Sequence, residues 1–225
     1  MSNQVGPTDA TRQRILFAGL ELFGLKGYQS TSIADILHAA DAHSGSLYHF
    51  FPTKQELLLA VLELYRDGIE PLLLAPAWTN VADPIERVFA LLASYRRALE
   101  STDCTYGCPI GSLALELHEP DPAVRQLLAV NFLGWVRHVR ACLDAARDRV
   151  PRDVDTELLA TFILTTMEGG VMQSRTHRSL HGICSPERTP MTREATRCRY
   201  HRLLAGVIAA KRKSEAAART VEAKD

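Results

Sequence analysis

The chain has 225 residues, of which 46% are hydrophobic and 23% charged, so it can bury a sizeable core as one large or two unequal domains. Its formal net charge of zero points to no particular class of partner. No apolar run approaches the roughly 18 residues of a membrane span, and no signal-peptide core is present, so we expect a cytoplasmic protein with no membrane partner.

The first predicted element is a helix over 8–26. Its apolar positions Ile15, Ala18 and Leu22 recur at helical spacing, and Gly27 follows as a stop signal. Ala, Leu, Arg and Glu dominate here and along most of the chain, whereas alternating β-type runs are absent. We therefore predict an all-α fold.

Two short helices are expected next. Ser32 can cap the first of them, and residues 41–43 form a tight turn after it. The second runs from about 44 to 51 and ends before Pro52. The segment "TKQE" (53–56) is a capping box that starts a longer helix through "LLLAVLELYRDGIEPLLLA".

Beyond Pro76 the pattern changes to long helices, most of which have a proline near their start. They are predicted at about 84–100, 110–118, 121–149, 153–178 and 191–213. The segment 179–190 is expected to be a loop, and 214–225 a frayed tail. The chain thus divides into a small three-helix unit and a larger helical domain.

Two short helices joined by a tight turn and braced by a preceding helix describe a helix-turn-helix unit. In such a unit the second helix enters the DNA major groove, and small residues at its start let it approach the bases closely. The stretch "SGSLYHFFPTKQEL" (44–57) has this character: Ser44, Gly45 and Ser46 would face the groove. Around them, Tyr48 and His49 would reach phosphates, and Lys54 would add a charge contact.

The alternative is a small helical subdomain whose polar residues simply face solvent, because helix-turn-helix geometry also occurs in proteins that do not bind DNA. Charge leaves this alternative open. Residues 1–56 contain four Lys or Arg against five Asp or Glu, which is not the basic footprint usual for a DNA-binding domain.

The segment "FGLKGYQSTSIADILHAADAHSGSLYHFFPTKQELLLAVLE" (23–63) resembles the N-terminal domain of TetR-family transcriptional regulators. The resemblance implies a DNA-binding domain over 1–56 and a ligand-binding and dimerisation domain over 57–213. It also implies DNA contacts at Ser32, His43, Ser44, Gly45, Ser46, Tyr48, His49 and Lys54.

Three positions depart from the family pattern. Asp41 stands where the turn commonly has glycine, and Asp tolerates the left-handed conformation better than most residues. His43 replaces the usual serine cap of the recognition helix, and Ser44 replaces a frequent lysine. The last two changes bear on the operator sequence and the affinity rather than on the fold.

For the larger domain the resemblance implies dimerisation through helices 153–178 and 191–213, where Gly169 and Gly170 could allow close helix contact or mark a local irregularity. The stretch "CTYGCPIGSLALEL" (104–117) is similar to the pocket-proximal sixth helix of some members, or is an ordinary loop and cap. Residues that could line an apolar ligand cavity, or simply form core, are Trp78, Phe89, Cys108, Phe132, Trp135, Phe162 and Met167.

Other chemistry finds little support. The five cysteines are odd in number and scattered, which favours reduced thiols over a disulfide framework. Cys104, Cys108 and His118 do not complete a zinc spacing; His177 and His181 could bind a metal or be surface histidines at a loop boundary. "GCPIGS" lacks the G-x-S-x-G pattern of a nucleophile elbow. We predict neither an enzyme nor a cofactor.

The function predicted is a ligand-responsive repressor that binds a palindromic operator in double-stranded DNA as a homodimer. A small apolar or aromatic inducer would release it by favouring a conformation that does not fit the operator. The alternative from another class is an all-helical small-molecule-binding or scaffold protein without DNA binding. An enzyme using Cys108 or the histidine pair is a third.

Overall fold

The computed structural model describes residues 7–105 and 107–180, and these form nine α-helices and one π-helical segment without a β-strand. The all-α fold class is confirmed. The helices are α1 (Pro7–Lys26), α2 (Ile33–Ala40), α3 (Ser44–Phe50), α4 (Lys54–Gly68), α5 (Ala75–Trp78), α6 (Pro84–Ser101), α7 (Pro109–Glu116), α8 (Pro122–Ala145) and α9 (Thr156–His177). The predicted helix 191–213, the tail 214–225 and the metal candidate His181 lie outside the described residues.

The first three helices and the start of the fourth form as their sequence signals predict. Gly27 follows α1 with a φ of 85°, which a glycine adopts without strain, and its amide donates to the Phe23 carbonyl at 3.1 Å. Thr53 caps α4 by accepting a hydrogen bond from the Glu56 amide at 3.0 Å. The side chains that hold these helices together are almost fully buried; they include Ile15, Phe23, Ile36, Leu47, Leu57 and Leu58.

The helix that starts at Lys54 is not continuous, contrary to its apolar periodicity. α4 ends at Gly68, and Ile69–Leu74 form a π-helical segment before α5 begins. Pro71 lies in this segment and has no amide hydrogen to donate, so the regular α-helical hydrogen bonding cannot run through it. The wider π-turn accommodates the interruption without ending the helical path.

Two long helices are shorter than predicted. The one expected over 121–149 ends at Ala145 and is followed by turns. The next, expected over 153–178, begins at Thr156, because Asp155 is its cap. The Asp155 carboxylate accepts hydrogen bonds from the second and third amides of the helix at 2.8 and 3.1 Å.

The described chain packs into two compact units. The first contains the residues up to Leu72 and those from 107 to Trp135; the second contains Leu73–Thr105 and the residues from Val136 onward. α7 therefore belongs with the N-terminal helices, because it packs against α1. The functional division at residue 56 stays a prediction. Within the described residues, no helix is both long and apolar enough to cross a membrane.

Candidate nucleic-acid interface

α2 begins with a complete capping box. The Ser32 hydroxyl oxygen accepts a hydrogen bond from the Asp35 amide at 3.0 Å, and the Asp35 carboxylate accepts one from the Ser32 amide at 2.9 Å. The Ser32 hydroxyl also donates to that carboxylate at 2.7 Å, and Lys26 lies 3.4 Å from it. The hydrogen bonds from Ser32, followed by Lys26, lower the pKa of Asp35 to about 2. Ser32, a predicted DNA contact, is thus already committed to a cap.

The turn between α2 and α3 has the left-handed residue that the sequence predicts. Asp41 has φ 46° and ψ 58°, and the Ala42 amide donates to the Leu37 carbonyl at 3.1 Å. Arg14 of α1 braces this turn by donating to the carbonyl oxygens of Ala40 and Asp41 at 2.9 and 3.2 Å. The angle between the two short helices is therefore fixed by backbone chemistry and by one arginine.

α3 has one buried side chain, Leu47, and exposes four of its other six residues. Leu47 is fully buried, whereas Tyr48 is 51% exposed. A Cβ on Gly45 would meet no described atom within 4 Å, so internal packing does not require the small residue there. The exposed residues are His43, Ser44, Gly45, Tyr48 and His49, with Ser46 half-buried. The face is small at Ser44 and Gly45, at the start of the helix, and polar beyond them, which fits a helix that enters a groove by its N-terminal end.

Lys54, at the start of α4, is held against the turn that follows α1. Its ammonium donates to the Tyr28 carbonyl at 2.5 Å and lies 4.2 Å from the centroid of the Tyr28 ring. Burial lowers the pKa of Lys54, and the charge of Glu116 opposes that shift. An ammonium group has three hydrogens, so the bond to the Tyr28 carbonyl does not use all of them.

The helix-turn-helix geometry has close counterparts among known proteins. The family model "Bacterial regulatory proteins, tetR family" matches residues 15–61, and the model "Tetracyclin repressor-like, C-terminal domain" matches residues 84–183. Together the two matches span more than half of the chain. The chain belongs to the TetR family.

TetR-family relatives match along most of this sequence. The chain is 28% identical to the uncharacterized HTH-type transcriptional regulator YxaF of Bacillus subtilis, over 75% of this chain and 86% of that protein. It is 26% identical to the HTH-type transcriptional repressor DhaR of Mycobacterium sp. strain GP1, over 75% of this chain and 84% of the relative. A Lactococcus lactis HTH-type regulator is 31% identical, over 60% of this chain and 69% of its own length.

Solved structures show the same architecture. A regulatory protein TetR from Rhodobacter sphaeroides superposes with a TM-score of 0.71 at 25% identity, over 77% of this chain and 93% of that one. A TetR transcriptional regulator from Chloroflexus aurantiacus gives a TM-score of 0.69 at 27% identity, over 78% and 89%. The chain is therefore a DNA-binding transcriptional regulator of the helix-turn-helix type, and not an enzyme.

Most cations of this TetR-family DNA-binding region make contacts with other groups of the protein, although Arg12, Arg14 and Lys26 are exposed. Arg14 braces the turn after α2, Lys26 pairs with Asp35, and the Arg12 guanidinium lies 5.2 Å from the centroid of the Phe51 ring. The sequence of residues 1–56 contains four cations, but their contacts within the protein depend on the folded structure. The number available to neutralise phosphates is correspondingly small.

The residues predicted to line a ligand cavity fall in both compact units. Cys108, Phe132 and Trp135 belong to the first; Trp78, Phe89, Phe162 and Met167 belong to the second. Met167 and Trp135 are buried, as is Cys108, whose sulfur caps α7 by accepting from the Gly111 amide at 3.5 Å. Phe89 and Phe132 are half-buried. A shared lining role for the seven stays a prediction.

Two of these residues have other evident contacts. Trp78 donates its indole N–H to the Arg87 carbonyl at 2.9 Å, and the Arg87 guanidinium lies 5.6 Å from the Trp78 ring centroid. The indole therefore braces the segment that precedes α6. Phe162 is 59% exposed on α9, which suits a surface contact better than a cavity lining.

One residue that supports the helix-turn-helix was not predicted from the sequence. Glu116, the last residue of α7, accepts hydrogen bonds from the backbone amides of Tyr28 and Gln29 at 2.8 and 2.6 Å. It lies 88 positions along the chain from Tyr28, and its carboxylate binds amides that any residue but proline supplies. No local pattern could have signalled the contact.

Metal chemistry finds no site in the part of the chain that is described: no group of three or more His, Cys, Asp or Glu side chains there could hold an ion. Cys104, Cys108 and Cys142 are buried thiols that form no disulfide with one another. Burial raises the pKa of Cys142, so this thiol is held in its protonated form.

Proposed function

We propose that this TetR-family regulator is a cytoplasmic, homodimeric repressor that binds a palindromic operator and is released by a small apolar or aromatic molecule. The observation that carries the proposal is the exposed small and polar face of α3, seated on the buried Leu47. In a dimer, two such helices would enter successive major grooves, about one helical turn apart. Six of the eight predicted DNA contacts belong to α3 or to its N-cap, whereas Ser32 caps α2 and Lys54 begins α4.

The dimer contact is proposed on the outer face of α9. Leu158 and Phe162 are one turn apart and 69% and 59% exposed, and Met172 continues the same stripe further along the helix at 51%. A Cβ on Gly169, between them on this face, would meet no described atom within 4 Å. Burying these apolar side chains against a second copy would remove them from water.

The dimer is tested by sedimentation of a Phe162→Glu variant. A charge in an apolar contact costs far more than at an exposed site, so the variant is expected to sediment as a monomer at concentrations where the wild type is a dimer. The matched control is Gln126→Glu, which puts the same charge on an exposed position of a different helix, α8. A dimer of unchanged strength with Phe162→Glu would place the contact elsewhere.

Operator binding is tested by selecting duplexes from a random-sequence library with the full-length protein and measuring their affinity at several salt concentrations. Because Arg14 and Lys26 are engaged internally, we expect each subunit to neutralise one or two phosphates. The logarithm of affinity should then fall with log salt with a slope of roughly −2 to −4 for a dimer. A selection that returns no enriched sequence would favour the alternative of a helical binding protein without DNA.

A slope of about −10 for log affinity against log salt would instead mean that basic residues outside the N-terminal helices contact DNA. Such a result would agree with the proposed function as a regulator but would contradict the proposed DNA-contact surface. The inducer is tested separately, by screening small apolar and aromatic compounds for those that lower affinity for the selected duplex.

A further inference from the structure

The turn between α1 and α2, residues 27–31, is clamped by two helices that follow it in the chain. Glu116 of α7 binds the amides of Tyr28 and Gln29, and Lys54 of α4 binds the Tyr28 carbonyl and covers its ring. Both polar groups of the Tyr28 main chain are thus satisfied by side chains from other helices. All four partners belong to the same compact unit.

The turn is shaped to receive the carboxylate. Gly27 has a φ of 85°, and a Cβ added to it would come within 2.8 Å of a Glu116 carboxylate oxygen. Thr31 is almost fully buried, and its hydroxyl donates to the carbonyls of Gly27 and Leu22 at 2.7 and 3.2 Å. Ser32, the cap of α2, follows at once. Any displacement of this turn therefore displaces the start of the helix-turn-helix.

We propose that Glu116 is a positioning residue for DNA recognition, resting on the proposed function above. Its carboxylate fixes the turn from which α2 starts. It also positions Tyr28, whose carbonyl and ring in turn bind the ammonium of Lys54. In this role Glu116 does not itself contact DNA. It acts by reducing the number of conformations that the turn and Lys54 sample before DNA binds.

If Glu116 acted only through its charge, removing that charge would change the DNA affinity in the opposite direction. A carboxylate in a DNA-binding unit repels phosphates, so its removal alone should strengthen binding slightly. A positioning role predicts weaker binding when the same negative charge is removed. The sign of the change therefore separates the two roles.

The test compares Glu116→Ala, Glu116→Gln and Glu119→Gln in full-length protein, using the duplex that the wild type selects from a random-sequence library. Glu119 is exposed just beyond α7, so its substitution removes the same charge without touching the clamp. We expect Glu116→Ala to weaken binding about tenfold, within the range of ordinary coupling between sites. Glu116→Gln, which keeps one acceptor oxygen, should lose less, and Glu119→Gln should bind as tightly as the wild type or slightly more tightly.

The salt dependence adds a second discriminating readout. Because Glu116 neutralises no phosphate, Glu116→Ala should keep the wild-type salt slope while losing affinity. Lys54→Met should instead lose slope by about 0.9 for each subunit's lost phosphate contact. Binding by Glu116→Ala as tight as by the wild type, or tighter, would overturn the inference.

Amide exchange tests the clamp without DNA. The Tyr28 and Gln29 amides should be protected in the wild type and in Glu119→Gln, and should exchange faster in Glu116→Ala while the core amides of α1 keep their protection. Unchanged exchange at both amides would overturn the inference whether or not DNA is bound. The wild type could select no duplex while the two amides still lose protection in Glu116→Ala. That result would contradict the proposed function but would support the contact between Glu116 and the turn.

Discussion

The helices α2 and α3 are neighbours of 8 and 7 residues, yet their N-termini are built differently. At α2 the side chains of Ser32 and Asp35 close a cap within the chain. At α3 the corresponding residue, His43, makes no side-chain cap hydrogen bond, and its side chain is exposed. The start of α2 is therefore capped by side chains of its own segment, whereas the start of α3 has no side-chain cap.

The two helices also differ in how they are anchored. α2 buries Ile36 and Ala40 and is held at its end by Arg14, whereas α3 buries Leu47 alone within its own span. A helix of seven residues has little stability of its own. Within its own span, α3 therefore depends on one fully buried apolar side chain.

The largest effect is expected from Leu47→Ala. The side chain is fully buried, so its truncation should lower the free energy of unfolding by about 2–5 kcal/mol. Urea denaturation of the purified protein measures the loss. His49→Ala, on the exposed face of the same helix, is the control for helix propensity; equal losses for the two variants would mean that Leu47 is not the anchor.

Tyr48→Phe should weaken DNA binding without changing the free energy of unfolding. The ring is 51% exposed, and a hydroxyl that donates to a phosphate contributes about 1.5–3 kcal/mol, which corresponds to tenfold or more in affinity. A phosphate contact carries no base preference, so the loss should be similar on selected and random duplexes. Unchanged affinity for both duplexes would remove Tyr48 from the interface.

His43→Ser should give α3 the cap that it lacks. A serine there can accept a hydrogen bond from the second or third amide of the helix and should raise the free energy of unfolding by about 1 kcal/mol. Ser32→Ala, which opens the cap of α2, should lower it by a similar amount. If His43→Ser gives no stabilisation, the N-terminus of α3 already has a partner.

The smallest effect is expected from Asp35→Asn, and it depends on pH. The pKa of Asp35 is lowered from 3.8 to about 2 by its bonds from Ser32 and by Lys26. The ionised carboxylate therefore stabilises the fold above the ordinary pKa, and this stabilisation is lost as the pH falls from 3.8 toward about 2. Thermal melting should show wild type and variant converging as the pH falls through this range; a constant difference would contradict the assignment.

Local chemistry made the helix-turn-helix readable from sequence. Ser32, Asp41 and Thr53 act through neighbours within a few residues, so their caps and turn could be predicted before any packing was known, and each is confirmed. The resemblance of 23–63 to the TetR family then supplied the function, which the neutral charge of the region could not.

Features that depend on residues far apart in the chain could not be predicted from the sequence. The apolar periodicity continues through Pro71, so the π-helical segment could not be told from a longer α-helix. The exposure of Phe162 depends on which face of α9 the protein core covers, which periodicity alone did not settle. The sequence identifies three cations, Arg14, Lys26 and Lys54, but not their partners. The structure shows that they bind backbone carbonyls or, for Lys26, the Asp35 carboxylate.

The clamp on the turn after α1 has a consequence for how this protein tolerates mutation. Glu116 recognises the peptide group of residue 29 and not the side chain of Gln29, which is exposed. Nearly any amino acid can therefore replace Gln29 in descendants of this gene without loss of the contact, and the position is free to drift. Proline is the exception because it has no amide hydrogen, so a single codon change to proline there would remove a contact that no other substitution at that position touches.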